Sequence, residues 1–461
     1  MKSAPDRASI AGATIPPPIL SDPDPGFLAA ALYALYDLAW VLAIVLPSPW
    51  WLVRAATSSR FRATAGARLG GGLPRARRPG ERGRILVHGV SVGEVKAAQA
   101  LVRELRAARP DLDVVVSTVT TTGFDVARKL YPDATVVRFP FDLSFVVRRF
   151  LRRVGPDCVV LVELEVWPSF LREANRAGIP IAVVNGRITE RSYRRYLGFK
   201  NLLPQFARIS LYCAQDAEYA QRFVGLGAEP ARVLITGNVK ADALRTGARD
   251  PSEEILRRVA ARAEQIVLVA GSTHAPEEAA LVRAWRESFP AARLVLVPRH
   301  PERSGGLARE LGHIGPEPQF LTRLRAGESV DPARPLVVDT IGELEQIYAA
   351  SDLVFVGGSL IPHGGQNMLE PAAQGRAVVY GPHVGNFLQE AGLLERAGAA
   401  VRLAGEADLG PELRALIDDP GRRRSMGAAG RAVVEAQKGA TALTLRALVE
   451  RVLLRPPDPS A

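Results

Sequence analysis

Cysteine is nearly missing from this chain: Cys158 and Cys213 are the whole complement, each inside an apolar run that reads as a strand. Two such residues are expected to be buried thiols of a protein kept in a reducing compartment. Histidine is also sparse, with six scattered residues and neither an HExxH pair nor paired-cysteine spacing, which argues against a structural metal. Aromatic residues make up only 6% of the chain, and no RNP-like, zinc-finger or recognition-helix pattern accompanies its basic character. Nucleic acid is therefore a poor partner for it. No GxGxxG follows the first expected strand and no GxxxxGK[ST] occurs, so the dinucleotide fingerprint and the P-loop are both absent. Asp111-Leu-Asp113 has the look of a DxD metal motif, but it precedes a strand and reads as a solvated turn. What these absences leave is a nucleotide held through its sugar and phosphate, without a metal.

Positive charge and long apolar runs are both present. A net charge of +11, mostly from arginine, implies an anionic partner such as phospholipid or a phosphorylated substrate. Residues 1–25, rich in Pro, Ser and Asp, are expected to be a disordered tail. Residues 26–53 then form an apolar run broken only by Asp37, matching the roughly 20 residues that a bilayer crossing needs. The run is too long for a secretory signal and no small-residue cleavage site follows it, so a membrane-anchor helix is expected. Tyr33, Tyr36, Trp40, Trp50 and Trp51 suit an interface, which leaves a helix lying in one leaflet as the alternative to a spanning one. The following basic linker, 54–84, holds nine arginines against the single acid Glu81. By the positive-inside rule it places the rest of the chain in the cytoplasm, drawn to anionic headgroups at about 1 kcal/mol per residue.

From Ile85 onward, short apolar runs alternate with helical patterns. The first series predicts strands at 85–90, 113–118, 135–139, 158–163 and 179–184, with a helix at 93–108 whose Val95, Ala98, Val102 and Leu105 share one face. The second predicts strands at 266–270, 293–297, 336–338, 352–356, 377–380 and 399–403, and a final helix at 441–453. Such alternation means parallel sheets covered on both faces. Two wound domains are expected, 85–240 and 241–440, followed by a helix and tail at 441–461, with a site in a cleft at the carboxyl ends of the strands.

One carboxylate sits at such an end. Ser91-Val-Gly-Glu94 fits the capping box, in which a hydroxyl and a carboxylate reciprocally satisfy amides at a helix start. The same position, where strand becomes helix, is also where ligands bind in open α/β folds. Spacing alone leaves both readings open.

The motifs "HGVSVGEVKAA", "STVTTTG", "VELEVWPSFLREANRAGIPIAVVNGRITERSYRRY", "TGNVKAD", "GSTHAPEE", "VPRHPER" and "GGSLIPHGGQNMLEPAAQG", in this order across nearly the whole chain, resemble the 3-deoxy-D-manno-octulosonic acid (Kdo) transferases of lipopolysaccharide synthesis. The resemblance implies an α/β GT-B fold, two facing doubly wound Rossmann-like domains behind an N-terminal membrane-anchor helix. It implies an inverting glycosyltransferase that moves Kdo from CMP-Kdo to a lipid A precursor at the cytoplasmic face of the inner membrane, with inner-membrane phospholipid as a further partner and no metal, cofactor or nucleic acid. Another nucleotide-sugar enzyme of the same fold, either a UDP-sugar transferase or a nucleotide-sugar 2-epimerase, and a non-catalytic lipid-binding scaffold are the rival readings.

Site residues follow from the same resemblance. Glu94 matches the position of the general base, with Gly93 leaving room for the acceptor and Ser91 orienting the turn. Glu163 and Glu165 assist acceptor binding or hold nearby arginines. Arg187 and Arg191, with Arg194 and Arg195, are candidates for lipid phosphates or a solvated helix face. In the second domain Gly357, Gly358, Gly364 and Gly365 would let backbone amides converge on the CMP phosphate, beside Ser359 and a helix beginning near Asn367. Glu370 would accept from ribose hydroxyls, or join Asn367 in another cap. Arg299 would meet the phosphate or the Kdo carboxylate. Ser272, Thr273, His274 and His300 line the pocket, unless the histidines are ordinary loop residues. The chain departs from the family pattern at Gln366, where His is usual before the Asn, at Gly186 in "NGR", and at Ala241, where Phe is common.

Overall fold

The computed structural model describes residues 27–76, 81–200, 204–244, 246, 251–259 and 265–453. The expected disordered tail at 1–25 lies outside the described residues, as do Arg77 and Arg78 of the basic stretch. The chain forms two compact units: residues up to Ala243 and from Lys438 onward make unit 1, and Leu244–Gln437 make unit 2.

Unit 1 carries seven parallel strands, β1 Gly83–His88, β2 Leu112–Thr118, β3 Thr135–Arg138, β4 Cys158–Val162, β5 Ile181–Gly186, β6 Leu211–Ala214 and β7 Val233–Ile235, in the order β3-β2-β1-β4-β5-β6-β7. Unit 2 repeats the plan with β8 Val267–Thr273, β9 Arg293–Pro298, β10 Gln319–Phe320, β11 Leu336–Val337, β12 Leu353–Val356, β13 Ala377–Tyr380 and β14 Ala400–Arg402, in the order β10-β11-β9-β8-β12-β13-β14. Apolar residues run unbroken through the central strands because helices cover both faces. Along β1, Ile85 and Val87 join the core on one side of the sheet and Leu86 the core on the other. Cys158 and Cys213 are free thiols inside the unit 1 sheet. The strand order reverses between β1 and β4 in unit 1 and between β8 and β12 in unit 2. Those two switch points are where loops diverge and leave a crevice at the strands' carboxyl ends.

Three expectations need correction. The helix expected at 93–108 is divided at Ala98 into Val92–Ala97 and Gln99–Ala108, though Val95, Ala98, Val102 and Leu105 are all buried across the break. The basic linker is helical for half its length, through Ser48–Thr57 and Ser59–Arg68, the second capped where the Ser58 hydroxyl accepts from the Phe61 amide. Among the described residues no single helix is long and apolar enough to cross a membrane; the helix Phe27–Val45 ends before Pro47, and only the bent pair Ala30–Val45 and Ser48–Arg54, at 54°, has the composition for it. Proline interrupts the helix because it lacks an N–H and disfavours helical geometry in the residue before it.

That first helix is fastened to unit 1 by polar groups. Tyr33, only 2% exposed, lies under the Arg172 guanidinium at 4.1 Å and accepts from the Gln205 amide at 2.6 Å. Tyr36 donates to Asp142 at 2.9 Å, and Asp37 accepts from the Ser144 amide at 3.0 Å, at the start of the helix Ser144–Val154. Asp37, an interruption in the apolar run, is thus a helix cap for a segment 107 positions away. Leu35, Leu38, Leu42, Val45, Leu46, Trp50, Leu52 and Val53 stay exposed.

The final helix, Ala440–Leu448, is a core element of unit 1 rather than an appendage. Ala440, Ala447, Leu448 and Val452 pack with Leu101, Val102 and Leu105, and the Asp242 carboxylate accepts from the Gly439 and Thr441 amides at its start.

Candidate active site

In unit 1 the turn after β1 is built around Val90. Its carbonyl accepts from the Thr118 and Thr120 hydroxyls at 3.0 and 3.2 Å, which accounts for two of the four threonines of "STVTTTG". Its amide donates to one Glu94 oxygen at 2.6 Å, while the Ser91 hydroxyl donates to the other at 2.8 Å and also accepts from the Glu94 amide at 3.4 Å. The cap reading of Ser91 and Glu94 therefore describes real contacts. It does not use up the carboxylate, since each oxygen keeps a second lone pair and the side chain is only partly buried. Burial raises the Glu94 pKa, the Ser91 and Val90 bonds oppose that rise, and the nearby Glu163 charge adds to it. A side chain at Gly89 would press on the Glu94 Cβ at 3.1 Å, whereas one at the exposed Gly93 would meet only the Ser91 hydroxyl at 3.7 Å. The protein's own packing requires glycine at 89 far more than at 93.

Across the switch point, Glu163 follows β4 with a φ of 66°, a left-handed conformation that a glutamate rarely adopts. Its carboxylate accepts from the Arg187 guanidinium and the Lys240 ammonium, both at 2.6 Å. Of the two roles expected for Glu163, the geometry displays the holding of basic side chains. Lys240 was missed in the sequence because its partner lies 77 positions away; its place in "TGNVKAD" was the available signal. Asn185, also left-handed at φ 53°, accepts from the Val239 amide at 3.1 Å and so seats the segment that carries Lys240. Glu165 is pushed up to about 8 by burial, then by Glu94 and Glu163, so it holds a proton at neutral pH. Arg191 is exposed on the helix Glu190–Leu197, none of whose residues is buried, and Arg194 on the same helix pairs with Glu190. A cavity of about 820 Å³ lined by Leu151, Pro156, Glu173 and Ile179 opens at the amino ends of β4 and β5, the edge opposite Glu94.

Unit 2 holds the larger correction. The amides of Gly358, Ser359 and Leu360 do converge on an anion, but the anion is the carboxylate of Glu277, at 2.7, 2.9 and 2.9 Å, which also accepts from the His274 amide at 2.9 Å. Gly357 donates to the Gly271 carbonyl and Gly365 to the Gly358 carbonyl. These glycines serve close packing and turning: a side chain at Gly357 would come within 2.5 Å of the Thr273 Cα, and Gly358, Gly364 and Gly365 have φ of 66°, 96° and 80°. Glu277 is 1% exposed, and "HAPEE" offered no hint beyond an acid in the first turn of a helix. Two further expected ligand contacts face inward. The Thr273 hydroxyl donates to buried Glu278, and the Ser359 hydroxyl is shared between the Val356 carbonyl and the Gly381 amide.

The groups that do reach the edge of unit 2's switch point are His274, Arg299, His300, Asn367 and Glu370, with Ser272 buried at a φ of 56° beneath them. The Asn367 side chain donates to Glu370 at 3.0 Å and accepts from the Leu369 amide at 3.2 Å, but the capping box anticipated there is not formed, because the helix Leu369–Ala373 starts two residues later, after Met368, and no side chain caps it. Glu370 is raised by burial, with Asn367 and the Arg299 charge opposing. His363, not singled out from the sequence, brings its ring to 4.2 Å from that of His274, and His300 approaches to 5.8 Å.

Residues 60–243 match the family model described as 3-Deoxy-D-manno-octulosonic-acid transferase (kdotransferase). The 3-deoxy-D-manno-octulosonic acid transferase of Haemophilus influenzae is 33% identical over 367 residues, covering 77% of this chain and 84% of the relative. That of Bordetella pertussis is 33% identical over 450 residues, covering 92% and 98%. Among solved structures, a putative UDP-N-acetylglucosamine 2-epimerase from Listeria monocytogenes matches with a TM-score of 0.55 at 14% identity, over 80% of this chain and 96% of that one. A glycosyltransferase from Rickettsia africae matches with 0.55 at 11%, over 81% and 100%. At such identities the likeness is one of fold, the GT-B α/β fold.

Proposed function

The chain belongs to the 3-deoxy-D-manno-octulosonic acid transferases, which are glycosyltransferases, and on that premise we propose that it takes Kdo from CMP-Kdo and transfers it to a lipid A precursor with inversion, at the cytoplasmic face of the inner membrane. The observation that carries the reading is the Glu94 carboxylate at unit 1's switch point, fixed by a hydroxyl and an amide rather than by a cation, with lone pairs to spare. A hydroxyl of the acceptor's glucosamine gives its proton to Glu94 as its oxygen bonds the anomeric carbon, and the bond from that carbon to the phosphate oxygen breaks to release CMP. The raised pKa makes Glu94 a stronger base than a solvated glutamate. The open space at Gly93 supports close approach of the acceptor.

On unit 2, Arg299 and the imidazoles of His274 and His300 bind the anionic donor, and Glu370 accepts from ribose hydroxyls. Arg191 and its basic neighbours on unit 1 take the acceptor's phosphates. The exposed apolar side chains from Leu35 to Val53 support a helix lying in one leaflet among inner-membrane phospholipid, with arginines of 54–84 against the headgroups.

Purified protein supplied with CMP-Kdo and a lipid A precursor should yield glycosylated lipid counted by mass. Glu94→Ala should keep the folded circular-dichroism spectrum and lose about 10²- to 10⁴-fold in turnover. Undiminished turnover in that variant would remove the base assignment, and binding of UDP in place of CMP would favour a UDP-sugar enzyme.

A further inference from the structure

Three imidazoles from three separate segments gather at one edge of unit 2: His274 after β8, His300 after β9, and His363 in the loop after β12. The His274 and His363 rings are 4.2 Å apart and tilted by 38°; His274 and His300 are 5.8 Å apart at 71°. His300 and His363 are exposed and His274 is half-buried, so the cluster is open to a ligand. Among the described residues no three His, Cys, Asp or Glu side chains are placed to hold a metal ion.

The charges around the cluster are mostly positive. Arg299 and Arg303 both act on His274. The acids nearby are largely engaged: Glu277 by four backbone amides, Glu278 by Thr273 and Arg303, and Glu370 by Asn367. Among the described acids, Glu302 reaches an imidazole, 3.2 Å from the His300 Nδ1. Burial first, and then His363, His300, Arg299 and Arg303, push His274 down to about 4. Positive charge on His274 is therefore suppressed by burial and by its crowded basic neighbours, and an anion arriving among the three rings would relieve that suppression.

We propose that docking of a nucleotide phosphate on unit 2 draws a proton onto the His274, His300 and His363 cluster, and that His363 is a further contact to the anion. This rests on the nucleotide site proposed above. Gln366 suits it to the exchange, because its side-chain amide lies 3.2 Å from the His274 Nε2. The amide can donate to a neutral ring or, turned over, accept from a charged one. Such linkage has a fixed sign: proton uptake on binding means that affinity falls as pH rises through the imidazole range.

The test is calorimetric titration of the full chain with the methyl ester of cytidine 5′-monophosphate, a phosphodiester whose charge does not change across the imidazole range. Titrations at about pH 6.5 in buffers of different ionisation enthalpy report the protons exchanged. Net uptake is expected, with affinity weakening about three- to tenfold between about pH 6 and about pH 7.5. His363→Gln and His274→Gln should each cut the uptake by about half or more, while His313→Gln, an exposed histidine at the end of the helix Ser304–Gly312, should leave it unchanged. Binding with an enthalpy independent of buffer would overturn the proposal while leaving the nucleotide site standing, as would uptake that persists in both cluster variants. No binding of the ester at any pH would overturn the site and the proposal together.

Discussion

Glu165 and Glu277 show how differently buried carboxyls behave at the rims of two similar sheets. Among the described residues no cation pairs with Glu165, and burial, then Glu94 and Glu163, lift it to about 8. An acid whose folded pKa lies above its unfolded value of about 4.3 binds its proton more tightly when folded. Its contribution to stability is complete below the unfolded value and is lost as pH rises through about 8. The unfolding midpoint in urea should therefore fall between about pH 5 and about pH 8.5, and Glu165→Gln should flatten that slope. A slope unchanged in the variant would place the titration elsewhere. The Glu94 charge is one of the causes that lift Glu165, so the state of the carboxylate after β1 is felt at Glu165. Glu277 is the opposite case, an internal anion satisfied by four amides, and its effect is to shape the loop 357–360 from within.

At the scale of elements, two aspartates join the first helix to unit 1. Asp37 caps the helix Ser144–Val154, while Asp142 accepts from the Ser169 and Phe170 amides at the start of the helix Pro168–Arg176 and from the Tyr36 hydroxyl. Asp142 is nine-tenths or more hidden from solvent and is pushed up to about 6 by burial, with the two amides and Tyr36 opposing. Asp37→Ala should cost about 1 kcal/mol, the usual worth of a cap, seen as a lower melting temperature and as faster proteolysis within the helix Phe27–Val45. If the melting temperature and the cleavage rate both stay put, the cap does not hold the helix to the sheet. The sequence marked Asp37 as a flaw in a membrane run, since hydropathy scores each residue alone and cannot register a partner from another segment.

For the molecule as a whole, the chain leaves unit 1 at Ala243 and returns to it at Lys438. Unit 1's core therefore draws on two segments of chain separated by the whole of unit 2. Leu448 and Val452 are buried in it, and removing them exposes apolar area worth roughly 3 to 6 kcal/mol together. A chain ending at Gln437 should show a sharply reduced soluble yield and a lower urea midpoint than the full chain; equal stability would mean that the returning helix adds nothing to the fold. The strands and helices of both units were largely legible in advance, within a few residues at most ends, because apolar period and strand length are local properties. The two-residue strand β10 was not, being too short to carry a pattern. Among the candidate site residues, motifs singled out Glu94, Arg299 and Glu370, which lie at the carboxyl edges of the two sheets, whereas Thr273 and Ser359 were expected on the ligand side and turn inward.

By itself the sequence determined the family, the doubly wound alternation and the carboxylate after the first strand, since each is written in contiguous residues. Only the tertiary structure decided what each carboxylate meets. Glu163 finds Lys240 across 77 positions, Glu277 finds the Gly358 amide across 81, and Asp37 finds Ser144 across 107. A side chain's partner is chosen by which strand ends the winding brings to one edge, and no local periodicity encodes that choice.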